Sequence, residues 1–175
     1  MDHLWQAHWH VNWQTGKVDR DRPGGREAET HCSAFVAAIA QRLGIYILRP
    51  PEHPQELLAN AQTVWLRTEG PSLGWRKVAD MRQAQEMANR GRLVVAAIAA
   101  PSPHKPGHIA IVRPSMKDLS QLESEGPQIT QAGATNYLST SVAAGFKHHP
   151  GAWSYNGTGA IRYYAHAIEP SRLIT

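Results

Sequence analysis

The sequence contains one cysteine in 175 residues, so an internal disulfide is excluded. It also lacks a long apolar run: the longest, from Leu93 to Ala100, has the length of a buried strand and is too short to cross a membrane. The first ten residues contain no basic segment followed by an apolar one, so we expect no secretory signal peptide. Basic runs with interleaved aromatic residues are absent as well. We therefore expect neither membrane insertion nor nucleic-acid binding.

The composition is that of an ordinary globular chain with a small positive excess. Hydrophobic residues make up 42% and charged residues 18%, which is enough apolar material for one hydrophobic core. We find no internal repeat and no linker, so residues 1–175 are predicted to form a single domain. The net charge of +4 suits an anionic partner such as a cell-wall polymer, nucleic acid or an acidic protein, without selecting one.

The single cysteine stands where a polar, Gly-rich approach gives way to an apolar segment with helical periodicity. Apolar residues recur at three- and four-residue intervals from Phe35 to Leu43, and Gly44 is suited to follow the last turn. Cys32 is thus predicted at a helix N-terminus, where unpaired N–H groups and the helix dipole favour a thiolate. The alternative is a small buried hydrophobe, the usual role of a lone cysteine.

Further elements follow from the apolar pattern and from turn-forming residues. Two more helices are predicted, one from Pro54 to Trp65 and one that ends near Arg90. The apolar face of the first would comprise Leu57, Leu58, Ala61, Val64 and Trp65. Strands are predicted at 92–99, 108–114, 128–134 and 161–168, with loops at 14–29 and 115–127, while 136–145 is ambiguous and can close a short helix at 142–146. Helices followed by an antiparallel sheet predict an α+β domain.

The N-terminal residues 1–13 carry tryptophans at four-residue spacing with histidines between them: Trp5, Trp9 and Trp13, and His3, His8 and His10. This pattern indicates an amphipathic helix or an extended arm whose tryptophans pack on the domain. A metal site built on the His-x-His pair is the weaker interpretation, because no third and fourth ligands stand nearby. We expect no metal and no other cofactor.

A thiolate nucleophile needs a base, and the base needs an orienting group. His108 opens a predicted strand directly after Gly107 and is the favoured base, whereas His104 lies in a Pro-rich turn and is less rigidly held. Gln131 on the next strand is the favoured orienting group, because its carbonyl can accept a hydrogen bond from one imidazole nitrogen. Asn136 is the second choice. Each of these side chains, taken alone, also fits an ordinary surface or strand-end position.

Two short motifs resemble the NlpC-type papain-like peptidoglycan hydrolases. The segment His31-Cys32-Ser33-Ala34-Phe35-Val36 is similar to their Asp/Asn-Cys-Ser-Gly-Phe-Val signature. The segment Gly107-His108-Ile109-Ala110-Ile111-Val112 is similar to their Gly-His-Val-Ala-Val/Ile-Val histidine strand. The chain is most similar to small amidase effectors delivered by type VI secretion, over roughly residues 28–135. His31 in place of an acid or amide, and Ala34 in place of glycine, depart from the pattern.

The resemblance implies a papain-like fold with the nucleophile at a helix N-terminus, packed on an antiparallel sheet. It implies hydrolysis of an amide in the peptide stem of bacterial peptidoglycan, either γ-D-glutamyl to diaminopimelate or N-acetylmuramoyl to L-alanine. The implied catalytic residues are Cys32 as nucleophile, His108 as proton carrier and Gln131 as its holder. The residues expected to contact the substrate are His31, Ser33 and Gly107.

The same resemblance carries expectations about the cellular setting. It implies a monomer made in the cytoplasm and exported by a specialised secretion system to act in a periplasm, with an immunity protein as a partner. Two alternatives stay open. One is the same site acting on another acyl substrate as a hydrolase or acyltransferase, although the circularly permuted relatives that do so place histidine before cysteine. The other is a catalytically dead module that binds the wall through its N-terminal tryptophans.

Overall fold

The computed structural model describes residues 9–11, 18–23, 32–54, 56–133, 135–154 and 159–169. Within them lie five α-helices and eight strands, six of which form one antiparallel sheet, so the predicted α+β class is confirmed. The helices are α1 (Cys32–Arg42), α2 (Leu58–Thr68), α3 (Met81–Asn89), α4 (Leu119–Glu125) and α5 (Val142–Gly145). The strands are β1 (Trp9–Val11), β2 (Val18–Pro23), β3 (Arg76–Val78), β4 (Leu93–Ile98), β5 (His108–Val112), β6 (Gln128–Gln131), β7 (Tyr137–Ser141) and β8 (Arg162–His166).

The main sheet has the strand order β3-β8-β4-β5-β6-β7 and is covered on both faces. Odd-numbered side chains of β4, from Leu93 to Ala97, pack in a cluster with α1 and α2. Even-numbered side chains, from Val94 to Ile98, pack in a second cluster with α3 and α5. Because both faces are buried, β4 needs apolar residues at every position, which explains its unbroken apolar run. The sheet thus separates two hydrophobic layers.

Helix α1 ends as the sequence predicts. Gly44 has a φ of 66°, in the left-handed region that glycine adopts without strain. Its N–H donates to the carbonyl of Gln41 at 2.9 Å, and the N–H of Ile45 donates to the carbonyl of Ala40 at 2.9 Å. This pair of bonds is a Schellman motif, which satisfies carbonyls left free at the helix end. The helix that begins at Cys32 therefore has a defined length and a fixed exit.

Helix α2 begins later than predicted. It starts at Leu58 rather than at Pro54, because Leu57 adopts a left-handed backbone with φ of 51° that separates the helix from the preceding turn. The predicted apolar face is also wrong at Val64, whose exposed fraction is 47%. The buried position on that turn is Gln62 instead.

Gln62 is buried because it bridges two segments of backbone. Its Nε2 donates to the carbonyl of Leu48 at 2.9 Å and to the carbonyl of Ser33, in the first turn of α1, at 3.3 Å. The buried Nε2 thus finds backbone acceptors, whereas the buried Oε1 has no hydrogen-bond partner among the described residues. An apolar pattern treats glutamine as a surface residue and so misses this link between α2 and the start of α1.

Three further elements lie outside the helices and strands that the sequence analysis predicted. Helix α4 lies inside the predicted loop 115–127 and starts with a capping box between Asp118 and Gln121, while Leu122 is its one buried residue. Strand β3 has three residues, too few for a periodic signal. Strand β2 lies inside the predicted loop 14–29 and pairs with β1. The ambiguous segment 136–145 forms β7 followed by α5.

The N-terminal prediction is tested only in part. Residues 9–11 form the extended strand β1, which favours an extended arm over a helix at that point. Trp5, Trp13, His3 and His8 lie outside the described residues. Among the described helices, none combines the length and apolar character that a membrane span requires.

Replacing Gln62 by Ala removes the amide that joins α2 to the carbonyls of Leu48 and Ser33. We expect the free energy of unfolding to fall by about 1–3 kcal/mol, the cost of breaking a buried hydrogen-bonded link. Urea denaturation measures the change. Val64→Ala on the same helix is the matched control and should cost about 0.5 kcal/mol or less. Equal unfolding midpoints for the two variants would contradict the structural role assigned to Gln62.

Candidate active site

Cys32, His108 and Gln131 line one cleft of about 770 Å³. Each of the three stands at the end of an element: Cys32 opens α1, His108 opens β5 and Gln131 closes β6. The hairpin loop between β4 and β5 forms one wall, and the turn that follows α5 forms another. Ends of elements, rather than their middles, therefore place these residues on one cleft.

His108 and Gln131 are both buried and hydrogen-bonded to each other, with 2.9 Å between imidazole Nε2 and amide Oε1. The amide nitrogen of Gln131 donates to the carbonyl of Thr135 at 3.1 Å, which fixes the amide so that its oxygen faces His108. An amide oxygen only accepts, so imidazole Nε2 carries the hydrogen. Nδ1 of neutral His108 is thereby left as the acceptor.

Of the two orienting candidates, it is Gln131 that contacts His108. Asn136 instead accepts a hydrogen bond from the backbone N–H of Gly133 at 3.0 Å and so braces the turn after β6. Gly145 of α5 leaves room for the Gln131 amide, because a Cβ at Gly145 would lie 2.6 Å from Gln131 Oε1. Glycine at this position is thus a steric requirement of the His108–Gln131 pair.

The Cys32 thiol is half-buried and receives backbone hydrogen bonds from Ile109 and Ser33. Burial nevertheless raises the pKa of the thiol, since it has a larger effect than these N–H donors, which lower it. The sequence analysis predicted a lowered pKa at the helix N-terminus, whereas the pKa of Cys32 is raised. Burial also lowers the pKa of His108, against the smaller opposing effect of its bond to Gln131. The resting site consequently holds a neutral thiol and a neutral imidazole.

The thiol and the imidazole reach the cleft from opposite layers of the fold. Among the described residues, pairing of β5 with β6 covers only 111–112 and 129–130, so His108 and Ile109 lie beyond it. The N–H of Ile109 is directed at the Cys32 sulfur from α1. The ring of His108 packs on the other face of the sheet, with its centroid 4.6 Å from that of Phe146. The start of β5, which pairs with β4 but extends beyond β6, is where the two layers meet.

Asn60 on α2 holds the hairpin loop that leads into His108, and the sequence analysis missed it. Its Nδ2 donates to the carbonyl of Lys105 at 2.8 Å, and its Oδ1 accepts from the N–H of Ala100 at 2.9 Å. Gly107 fits against this clamp, because a Cβ there would collide with the carbonyl of Ile98 and lie 2.5 Å from Asn60 Oδ1. A polar residue on a helix gives no sequence signal of this function.

The remaining predicted residues are placed as follows. His31 lies outside the described residues. Ser33 and Ala34 are buried, and neither belongs to the residues that line the cleft. The departure from the family motif at Ala34 therefore leaves the cleft wall unchanged. His104 is exposed in the hairpin loop, whereas His108 lies inside the cleft.

The sequence analysis also missed the basic rim of the cleft and a second histidine. Lys105, Lys147 and His148 line the cleft, and none of the described lining residues is Asp or Glu. His149 stacks on His108 with 5.2 Å between ring centroids and 11° between planes. The sequence signal for both was the segment Lys147-His148-His149, which follows the short helix α5 after Phe146.

Comparison with models of known protein families finds no match. Comparison with curated proteins finds no related sequence. The resemblance to papain-like hydrolases therefore depends on the two sequence motifs alone.

Because burial raises the pKa of Cys32, less thiolate forms at a given pH than in free cysteine. We expect the rate of alkylation by iodoacetamide to rise with a midpoint above about 8.5, the ordinary cysteine value. Mass spectrometry of the intact chain measures it, and the single thiol makes the label unambiguous. The urea-denatured chain is the matched control and should return to about 8.5. A native midpoint below the denatured one would contradict the dominance of burial.

Proposed function

We propose that the protein is a papain-like cysteine hydrolase of the NlpC type that cleaves an amide bond in the peptide stem of bacterial peptidoglycan. The observation that carries the proposal is the buried hydrogen bond between His108 Nε2 and Gln131 Oε1, in the cleft that also exposes the chain's only thiol. This bond leaves Nδ1 of His108 as a base. The motifs around Cys32 and His108 support the same assignment.

In the proposed acylation, Cys32 Sγ attacks the carbonyl carbon of the scissile amide while His108 Nδ1 takes the thiol proton. A C–S bond forms, and the carbonyl oxygen becomes an oxyanion near the backbone N–H groups at the start of α1. The C–N bond then breaks, and His108 gives its proton to the leaving amine. The product of this step is a thioester on Cys32.

In the proposed deacylation, His108 takes a proton from water, and the oxygen attacks the thioester carbon. The C–S bond breaks, the stem fragment leaves as a carboxylic acid, and the proton returns to Cys32. Gln131 accepts from Nε2–H throughout and so stabilises the imidazolium that forms twice per cycle. Since thiol and imidazole are both neutral at rest, the proton moves during attack, as in general-base catalysis.

The basic rim favours a substrate that carries carboxylates. Lys105 and Lys147 are exposed at the cleft, and no acidic residue lines it within the described part of the chain. A γ-linked glutamyl residue keeps a free α-carboxylate beside the bond to be cut, and such a group would pair with a rim lysine. Either stem amide, γ-D-glutamyl to diaminopimelate or N-acetylmuramoyl to L-alanine, stays within the proposal.

The same site would also process other acyl substrates, and a chain that binds wall without turnover would keep the same cleft. Delivery by type VI secretion, action in a periplasm and restraint by an immunity protein belong to the same proposal. Digestion of purified cell wall separates these alternatives, because only a hydrolase produces new stem-peptide fragments.

Incubation of the protein with purified sacculi should release new stem-peptide fragments, which mass spectrometry identifies together with the bond that is cut. Cys32→Ala should release none, because the nucleophile is lost. Gln131→Ala should reduce the rate about 10- to 100-fold, since the imidazole is then misplaced. His104→Ala is the matched control and should retain the full rate. Digestion by the Cys32→Ala variant, or no new fragments from the intact protein, would refute the proposed function.

Reversing one rim charge should weaken capture of an anionic substrate. We expect Lys147→Glu to lower kcat/KM on soluble stem fragments about 10-fold at low salt, with a smaller effect at high salt as screening increases. Lys77→Glu, on strand β3 at the opposite edge of the sheet, makes the same change in net charge and is the control. Equal losses in both variants would assign the effect to net charge and remove the rim from substrate binding.

A further inference from the structure

His149 lines the cleft, and the proposed mechanism leaves its position unexplained. Its ring lies nearly parallel to that of His108, with 5.2 Å between centroids and 11° between planes. Phe146 contacts His108 edge-on, at 4.6 Å and 70°. Phe146 and His149 also contact each other, at 6.3 Å and 60°. The rings of Phe146 and His149 thus contact the imidazole and form a closed cluster of three rings with it.

The backbone holds His149 in this place. Its N–H donates to the carbonyl of Phe146 at 2.9 Å, and its carbonyl accepts from the N–H of Ala152 at 3.0 Å. Phe146 is itself fully buried in the second hydrophobic cluster. The stacked ring is therefore anchored to the core by the turn after α5, rather than resting on the surface.

A single hydrogen bond cannot fix the plane of a ring. The bond from His108 Nε2 to Gln131 positions one atom but leaves the imidazole free to tilt about that bond, which would swing Nδ1. Contacts on the face and at the edge of the ring remove this freedom. We propose that His149 is a positioning residue, whose stacked ring holds the His108 imidazole in the one orientation that serves both Gln131 and the thiol.

The surroundings of His149 keep its ring neutral where it contacts His108. The ionisable groups that share the cleft with it are Cys32 from α1, Lys105 from the hairpin loop, His108 from β5, Tyr137 from β7, and Lys147 and His148 from its own turn. Burial, followed by the charges of His108 and His148, lowers the pKa of His149 from 6.5 to about 4. At neutral pH a neutral ring therefore faces His108, and it does not repel the imidazolium that forms during turnover.

Imidazole ¹⁵N NMR tests the proposal without any substrate, by reading the tautomer and titration of His108, whose signal is assigned by its loss in His108→Gln. We expect the intact protein to show the Nε2–H tautomer alone. His149→Phe keeps a flat ring and should preserve that tautomer. His149→Ala should give mixed tautomers and a His108 pKa that rises toward 6.5, because one face is now solvated. His104→Ala is the control and should leave His108 unchanged.

The proposal rests on the proposed function only in naming His108 as the base, so sacculus digestion is a separate measurement. There we expect His149→Ala to be at least about 10-fold slower than His149→Phe. The proposal is overturned if His149→Ala leaves the His108 tautomer and titration unchanged, or if His149→Phe disturbs them as much as His149→Ala. Circular dichroism checks folding, and His149→Leu, which fills the volume without a flat ring, replaces the alanine variant if that one does not fold.

Discussion

The hydrogen bond between His108 and Gln131 is the interaction on which the candidate site depends. It fixes the tautomer of a buried imidazole, and it survives only because several elements support it at once. Thr135 orients the amide, Gly145 leaves space for it, and Asn60 holds the loop from which His108 emerges. Each support comes from a different segment of the chain, so the bond is a product of the whole fold rather than of one motif.

Two opposing effects act on the pKa of the Cys32 thiol, and the larger one decides its protonation state. A helix N-terminus stabilises a negative charge by up to about 2 kcal/mol in a partly buried site. Removing a charged group from water costs several kcal/mol. Burial has a larger effect on the pKa of Cys32 than the backbone N–H donors around the thiol, so the thiol keeps its proton at neutral pH. Reactivity then depends on the imidazole that removes the proton, which is why its orientation matters so much.

The sequence predicts the helix at Cys32 and the strands that carry His108 and Gln131, because each has a clear period and a clear end. It fails where the contacts are long-range and polar. Gln62 and Asn60 look like surface residues of a helix, yet their amides bind backbone from other segments. Helix α4 has one buried residue, so its apolar signal is weak, although its capping box could have been found. The contact of His149 with His108 cannot be predicted until α5 and the turn after it are placed beside β5.

The protonated state of the single thiol affects how readily the protein is oxidised. Oxidants attack thiolates far faster than thiols, so a half-buried cysteine with a raised pKa is protected against sulfenic acid formation. The chain holds no second cysteine to form a disulfide with an oxidised Cys32 and so restore it. The raised pKa of Cys32 therefore protects from oxidation a thiol for which this chain has no second cysteine.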